Sequence, residues 1–371
     1  NAIACILPEL TKLVSLNLGK NGLGDAGVVT LSRALSKLRS LESLHLDWCD
    51  FSDEGASSLC TGFKTINNMR NVYLSNNLIG DLSGKFLAPS VSVLRDLEVL
   101  DISFNRIGNL AMLELAKSLK LLKNIRILEF AGNTISIESF LMFIEAWEEM
   151  TELRVLNLRR CNLGNFGVEL GLLSKFNWNI QLQVLNLGSN WIGDDGAFAL
   201  ACALPFLKHL CELDLSNNKI GANGASSLAP AISKLDHLRV LKLDDNSIES
   251  DGVAEFIYML ANRQMSFEFH IVNCVKGEVD PRISASELIA AWSLLIGLEE
   301  SENFSLFASE IVFEILKTTT LVLKTGVLDL SNSGIDDLYT EQLSETLKTV
   351  NGFIQLQVLN LGSNWIGDDG A

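Results

Sequence analysis

A unit of 28 residues recurs along this chain, and no other property of the sequence narrows the possible folds so far. Residues 182–197, LQVLNLGSNWIGDDGA, carry its clearest copy, with the frame L-x-x-L-x-L-x-x-N-x-L/I-G. Units open at Leu13, Leu41, Met69, Leu97, Ile125 and Leu153; one 29-residue unit then leads to Leu182, and the 28-residue spacing resumes at Leu210 and Leu238. A segment this short cannot bury an apolar face by itself. It must stack on its neighbours, and the stack supplies one continuous core.

Within a unit the apolar period changes once. L-x-x-L-x-L alternates as a short strand with its leucines turned inward. The second half, as in Leu31/Leu35/Leu38, Leu59/Phe63/Ile66, Leu87/Val91/Leu94, Leu200/Leu204/Leu207 and Leu228/Ile232/Leu235, repeats at the spacing of one helix face. Stacked strands lie roughly 4.8 Å apart, whereas packed helices need roughly 8 to 10 Å. The helical side is therefore longer, and the expected fold is an α/β solenoid: a horseshoe with a concave parallel β-sheet and convex helices.

The Asn three residues after the last strand leucine has a structural task. An amide there can bond backbone groups left unpaired where the chain turns off the sheet. The slot holds Asn21, Asn77, Asn105, Asn133, Asn190, Asn218, Asn246 and Asn364, with Cys49, Cys161 and Cys274 as small buried substitutes and Ser333 in a later copy. Gly27, Gly55, Gly84, Gly196, Gly224 and Gly252 are expected to relieve crowding where the chain enters the helix.

About 12 units make up a single expected domain over residues 1–371, with 1–12 as the tail of a repeat and 356–371 as the start of a further one. The opening segment NAIACILPELTK matches AFALACALPFLKH, a unit's helical tail. Residues 266–325 are irregular, with strands expected at 269–271 and 304–306 and helices at 285–298 and 309–317; a clear strand at 327–330 then restores the frame. Residues 180–197 and 354–371 match over 18 positions. Packing does not require identity at surface slots such as Gln183, Gly188, Ser189 and Trp191.

The chain is 48% apolar and carries 45 acidic against 29 basic residues, a formal charge of −16. Such a surface repels nucleic acid and anionic membranes and suits a protein partner. No apolar run is long enough to span a bilayer. Seven cysteines without C-x-x-C spacing argue against a disulfide framework and zinc ligation, and point to a reducing, cytoplasmic setting. No cofactor motif or catalytic constellation is found. His209, His237 and Cys211 are brought together by the repeat period alone, and GDDG at 193–196 lacks the remaining ligands of a calcium loop.

A rigid stack with a variable lining is a binding surface. The residues between the inner leucines face the concavity: Asn17, His45, Tyr73, Asp101, Glu129, Asn157, Asn186, Asp214 and Lys242. Trp48, Tyr73 and Phe104 fall on successive units, flanked by Asp47 and Asp101, and form a candidate partner-binding cluster within roughly 10 Å. Arg159 and Arg160 make a basic spot near Glu129 and Asp214. Trp191 occupies a slot that elsewhere tolerates charge, so it is expected to be exposed.

The segments LVSLNLGKNGLGDAGVVTLSRAL and LCELDLSNNKIGANGASSLAPAI resemble the ribonuclease-inhibitor-like class of leucine-rich repeats, over about 90% of the chain. That class includes ribonuclease inhibitors, activating proteins for the Ran GTPase, tropomodulins and the repeat domains of nucleotide-binding innate immune receptors. The resemblance implies a non-enzymatic scaffold that docks a protein on its concave face. It implies, as alternatives, regulation of an enzyme (GTPase activation or nuclease inhibition) or the sensing domain of an immune receptor.

Overall fold

The structure, a computed structural model, describes residues 2–66, 68–147, 149–164 and 181–248, together with Gly252, Phe256 and four later strands. The chain begins with a short helix, α1 (Ala2–Ile6), and a 3-10 turn (Leu7–Glu9). Strand and helix then alternate through β1 (Ser15–Asn17), α2 (Gly24–Leu35), β2 (Ser43–His45), α3 (Asp53–Phe63), β3 (Asn71–Tyr73) and α4 (Gly84–Ser92). They continue with β4 (Val99–Asp101), α5 (Asn109–Leu119), β5 (Ile127–Glu129), α6 (Ile137–Trp147), β6 (Val155–Asn157), β7 (Val184–Asn186) and α7 (Asp194–Ala203). After β8 (Glu212–Asp214), α8 (Ala222–Ile232) and β9 (Val240–Lys242) come β10 (Glu268–His270), β11 (Ser305–Phe307), β12 (Val327–Asp329) and β13 (Val358–Asn360).

β1 to β11 form one parallel sheet in chain order, and β12 pairs with β13 in a second. Each strand pairs with its successor in the register the repeat dictates, Leu16 on Leu44, Leu44 on Val72 and Leu213 on Leu241. Only three residues per unit join the ladder, because the turn that follows must redirect the chain towards a helix. From the second unit on, the inner apolar residues of the described strands β2 to β9 are buried, while Leu13 and Leu18 of the first are partly so, and with the helix faces they form one core that runs along the stack. The α/β solenoid read from the period is thus the observed fold. β10 and β11 lie one residue earlier and one later than 269–271 and 304–306. The helices expected at 285–298 and 309–317 lie outside the described residues, as do Cys274, Ser333 and Asn364.

The first turn of the chain repeats a later feature. Leu-Pro at the end of α1 and Leu-Pro after α7 both close in a 3-10 turn, Leu7–Glu9 and Leu204–Phe206. Proline lacks the N–H that a longer helix would use, so the last turn tightens and the chain leaves for the next strand.

The asparagine ladder is observed in full hydrogen-bond detail. The Asn77 amide donates to Leu46 O and Leu74 O at 2.8 and 2.9 Å, and its oxygen accepts the Cys49 N–H at 2.9 Å. Asn105, Asn133, Asn190, Asn218 and Asn246 repeat this, each reaching its own unit and the one before. Asn21 departs from the expectation of burial: it is exposed, and its amide reaches only Leu18 O and Gly19 O of its own unit.

Cys49 and Cys161 substitute for the amide on both sides. Their thiols donate to Leu18 O at 3.3 Å and Phe130 O at 3.4 Å. Their sulfurs accept the N–H of Asn21 and of Asn133, respectively. Burial pushes the Cys161 thiol up to about 12 and the Cys60 thiol up to about 11, well above the range in which thiolates form. Native-state alkylation at neutral pH should therefore modify the exposed Cys5 and Cys202 and spare Cys49, Cys60 and Cys161. Mass spectrometry reads the result, and Cys161 reacting as fast as Cys202 would contradict its place in the ladder.

A second ladder, on the helical side, was not anticipated. Four residues after five of the rungs, Asn21, Cys49, Asn77, Asn105 and Asn190, stands an acid or an amide at the start of a helical segment, and its oxygen caps the helix of the following unit. Asp25 accepts the N–H groups of Ser52 and Gly55, Asp53 those of Gly80 and Ser83, Asp81 those of Gly108 and Ala111, and Asp194 those of Gly221 and Gly224. Asn109 does the same for Ser136. Helix starts expose N–H groups and a positive dipole end, so a carboxylate is the natural cap. Asp194, the first acid of GDDG, acts across the repeat boundary and caps α8.

These caps pull successive helices together at their starts, which explains Gly55 and Gly224. A Cβ on Gly55 would lie 2.8 Å from Asp25 Oδ1, and one on Gly224 2.7 Å from Asp194 Oδ1. Gly84 is not in this slot. Ser83 fills it, after the extra turn Asp81–Ser83, and Gly84 lies one place on, under Ala111 of the next helix.

Candidate functional site

The face available for contact has two parts: the strand residues of the concave sheet, and the loop that leaves the C-terminal end of each strand. Their geometries differ. Strand side chains are held in register, while the loop residues stand on backbone in the left-handed region.

On the sheet, one stripe runs through His45, Tyr73, Asp101, Glu129 and Asn157, each paired in register with the next. His45 and Tyr73 stack with ring centroids 4.2 Å apart and planes 11° from parallel. Much of the stripe serves the fold as well. Asn17, Asp101, Asn157, Asn186 and Asp214 each accept the backbone N–H two residues ahead, which closes the strand end. Asp101 therefore spends part of its carboxylate internally, including a bond from the Ser103 hydroxyl.

Glu129 sits at the centre of the acidic stretch. Burial raises its pKa, with Asp101 beside it adding to the rise and the Asn157 side chain opposing. A carboxyl whose folded pKa is raised binds its proton more tightly in the native state, so native stability falls as pH climbs from the unfolded value towards the folded one. Glu129→Gln should accordingly raise urea resistance at neutral pH and lose that advantage below about pH 4, where the wild-type carboxyl is protonated in both states. A stabilisation that persists unchanged at acid pH would rule out this electrostatic origin.

The loop that follows each strand carries the exposed rings. Trp48 is 56% exposed, Phe104 42% and Trp191 59%. Their φ angles are +55°, +50° and +63°, a region costly for side chains with a Cβ and unusual for bulky ones. Lys20, Asn76, Arg160, Ser189, Asn217 and Asp245 occupy the Trp48 slot in other units with the same backbone, and Gly132 takes it at +71°. The repeat imposes the conformation; the residue is free to vary. The Phe104 ring lies over Gly132, where a Cβ would come within 2.5 Å of it, and the Asp47 carboxylate lies against Gly19 in the same way.

The sequence-derived cluster is thus resolved into separate points. Trp48 and Phe104 belong to the loop rim, two units apart with Asn76 between them. Tyr73 belongs to the sheet, on His45. No ring contact joins the three among the described residues. The basic pair is divided as well. Arg159 turns along the sheet to Asp214, 3.6 Å away and only 5% exposed as a residue, and to the Ser216 hydroxyl at 3.2 Å. Arg160 stands on the rim, beside Trp191, whose ring carries the Lys219 ammonium 4.6 Å from its centroid. His209 and His237 stack at 6.3 Å, as equivalent residues of consecutive units.

The opposite rim, at the strand N-terminal ends, is occupied by ion pairs of alternating sign. Arg70 reaches Glu42 and Glu98, and Arg126 reaches Glu98. Exposed pairs of this kind add little stability. They do neutralise that edge, in contrast to the C-terminal rim.

A parallel sheet in sequential register, with helices joining successive strands among the described residues and an internal asparagine ladder pinning them, defines a leucine-rich repeat scaffold. The model of the family Leucine Rich repeat matches residues 9–32, 37–60, 93–116, 179–201, 206–229 and 355–371, six separate stretches of the chain. This agrees with the ribonuclease-inhibitor-like resemblance of the sequence. No curated protein matches the chain. Among solved structures, an internalin from Listeria monocytogenes is 17% identical with a TM-score of 0.47, covering 99% of this chain and 84% of that one. The tropomodulin C-terminal domain of Caenorhabditis elegans is 18% identical (TM-score 0.36, 41% of this chain, 92% of that one). The actin-binding site 2 of leiomodin-1 is 13% identical (TM-score 0.34, 40% and 86%). Among the described residues no helix is long and apolar enough to cross a membrane.

Proposed function

We propose that the protein is a non-enzymatic interaction scaffold that docks a protein partner on its concave sheet and the C-terminal rim beside it. One observation carries this reading: large apolar rings stand in water on left-handed backbone, at Trp48, Phe104 and Trp191. Glycine or asparagine would satisfy that backbone at lower cost, as Gly132, Asn76 and Asn217 do. Residues that work against stability at exposed positions gain a rationale when they are buried by a partner, and Trp and Tyr are the side chains that anchor interfaces. Asp47, Asp101 and Glu129 give the same face a negative field, which favours a partner with a basic contact surface.

The test is capture of a partner by the immobilised chain. Replacing Trp48, Tyr73 and Phe104 together by Ala should abolish recovery of the partner with the far-UV circular dichroism unchanged. Trp48→Asn alone should leave the melting temperature unchanged or raise it, because Asn tolerates the left-handed region. Full recovery by the triple variant would remove this face from the assignment.

A further inference from the structure

The C-terminal rim holds a cleft of about 400 Å³ between four consecutive loops, lined by Arg160, Asn162, Trp191, Asn217, Lys219 and Asp245 among others. Its volume lies near the lower end of the range of ligand-sized sites. Two cations face one carboxylate there, an excess of positive charge on a chain whose formal charge is −16. Three arginines along the sheet and its edge have acidic partners. Arg70 and Arg126 share Glu98, and Arg159 takes Asp214. The Arg160 side chain has no such partner among the described residues. Its backbone is fixed by a hydrogen bond from its N–H to Gly188 O at 2.9 Å, at φ +55°, so the guanidinium is presented from a rigid base. The Lys219 ammonium is held over the Trp191 ring. The ring itself, 59% exposed, keeps apolar surface open to solvent.

We propose that this cleft seats an acidic side chain of a partner polypeptide between Arg160 and Lys219, with an apolar neighbour of that side chain covering Trp191. A planar guanidinium takes a carboxylate through two parallel hydrogen bonds, and the Asn162 and Asn217 amides supply further donors at the edge. Charge decides for a polypeptide over a nucleic acid. A single carboxylate beside Arg160 gains the local attraction, whereas a polyphosphate chain would run on into the surrounding acidic field. The inference rests on the protein-interaction reading above and adds to it the chemistry of one contact. The partner would then meet the acidic sheet with a basic surface and this cleft with an acidic residue, an arrangement that fixes its orientation.

The experiment uses the whole chain labelled with 5-fluorotryptophan and followed by fluorine NMR, with the Trp191 signal identified by its loss in Trp191→Phe. The probes are the capped peptide Leu-Glu-Asp-Leu, its uncharged counterpart Leu-Gln-Asn-Leu, and inorganic phosphate. The acidic peptide should shift the Trp191 signal saturably and leave the signal of buried Trp147 in place. The uncharged peptide should bind at least about tenfold more weakly, and Arg160→Gln and Lys219→Met should each weaken the acidic peptide by about tenfold, the effect of one charge-assisted hydrogen bond. Equal binding of the two peptides, or binding unaffected by Arg160→Gln, overturns the proposal. So does a phosphate response as strong as the peptide's, which would make the cleft an anion site with no preference for a polypeptide. The two readings fail separately. If the triple variant at Trp48, Tyr73 and Phe104 loses its partner while Arg160→Gln leaves peptide binding intact, only the cleft falls; the reverse pattern removes the sheet face and retains the cleft.

Discussion

Asn190→Ala should cost about 3–5 kcal/mol of stability, the loss of several buried hydrogen bonds at once. The Asn190 side chain is 0% exposed. It donates to Leu158 O, Leu187 O and Gly188 O at 2.8, 2.9 and 3.2 Å, and accepts the N–H groups of Cys161 and Leu163 at 2.9 and 3.3 Å. Truncation leaves these backbone groups buried without a side-chain partner. Each orphaned group costs about 1–3 kcal/mol, and the repeats on either side lose part of their coupling. Urea unfolding followed by circular dichroism should show a lower midpoint and a broader transition. Asn21→Ala is the control: Asn21 is exposed, water can replace its bonds, and a change within about 0.5 kcal/mol is expected. Asn190→Cys should fall between the two, since Cys161 shows that sulfur can both donate and accept in this slot. A loss under about 1 kcal/mol for Asn190→Ala would mean that water takes over the rung.

Gly84→Ala carries the second large effect, and its sign follows from position. The Gly84 backbone is ordinary helix, φ −54°, so alanine would gain helix propensity of roughly 1 kcal/mol in isolation. The tertiary contact outweighs this. A Cβ there would lie 2.4 Å from the Ala111 Cα, which belongs to the backbone of α5 and cannot rotate away. The helices must separate, straining the Asp81 bonds to Gly108 and Ala111, so a net destabilisation of about 1–3 kcal/mol is expected. At Gly27 the nearest atom is the Leu23 Cβ at 3.0 Å, one turn back on the same stretch of chain. Gly27→Ala should therefore be close to neutral. Equal effects at the two sites in thermal melts would refute the interhelix explanation.

Both contrasts mark how far the sequence could be read. The Asn rungs were legible because each lies at a fixed distance from the strand leucines, and one unit's translation places it on its neighbour. The capping acids Asp25, Asp53, Asp81 and Asp194 also stand at a fixed place, four residues after the rung, although Ile137 and Ala222 fill that slot in other units. Their role was missed because a carboxylate at a helix start has an obvious local use, and only the offset between adjacent helices shows that it serves the next one. The exposure of Trp191 followed from the charge its slot accepts in other units. The division of Trp48, Tyr73 and Phe104 between rim and sheet was not legible, since proximity along the stack does not specify whether a ring belongs to the strand or to the loop beyond it.

The sequence by itself determined the strand register, the buried leucines and the task of the asparagine ladder. Each of these depends on a repeat distance along the chain, and periodicity is a one-dimensional signal. Tertiary structure alone decided that Arg159 closes on Asp214 while Arg160 stays open beside Trp191, and that Asp194 caps α8. Adjacent residues at the end of one strand leave it in different directions, and a carboxylate bonds whichever N–H the neighbouring unit brings within 3 Å. Such choices depend on side-chain direction and on the tilt between units, and neither is recorded in the spacing of residues.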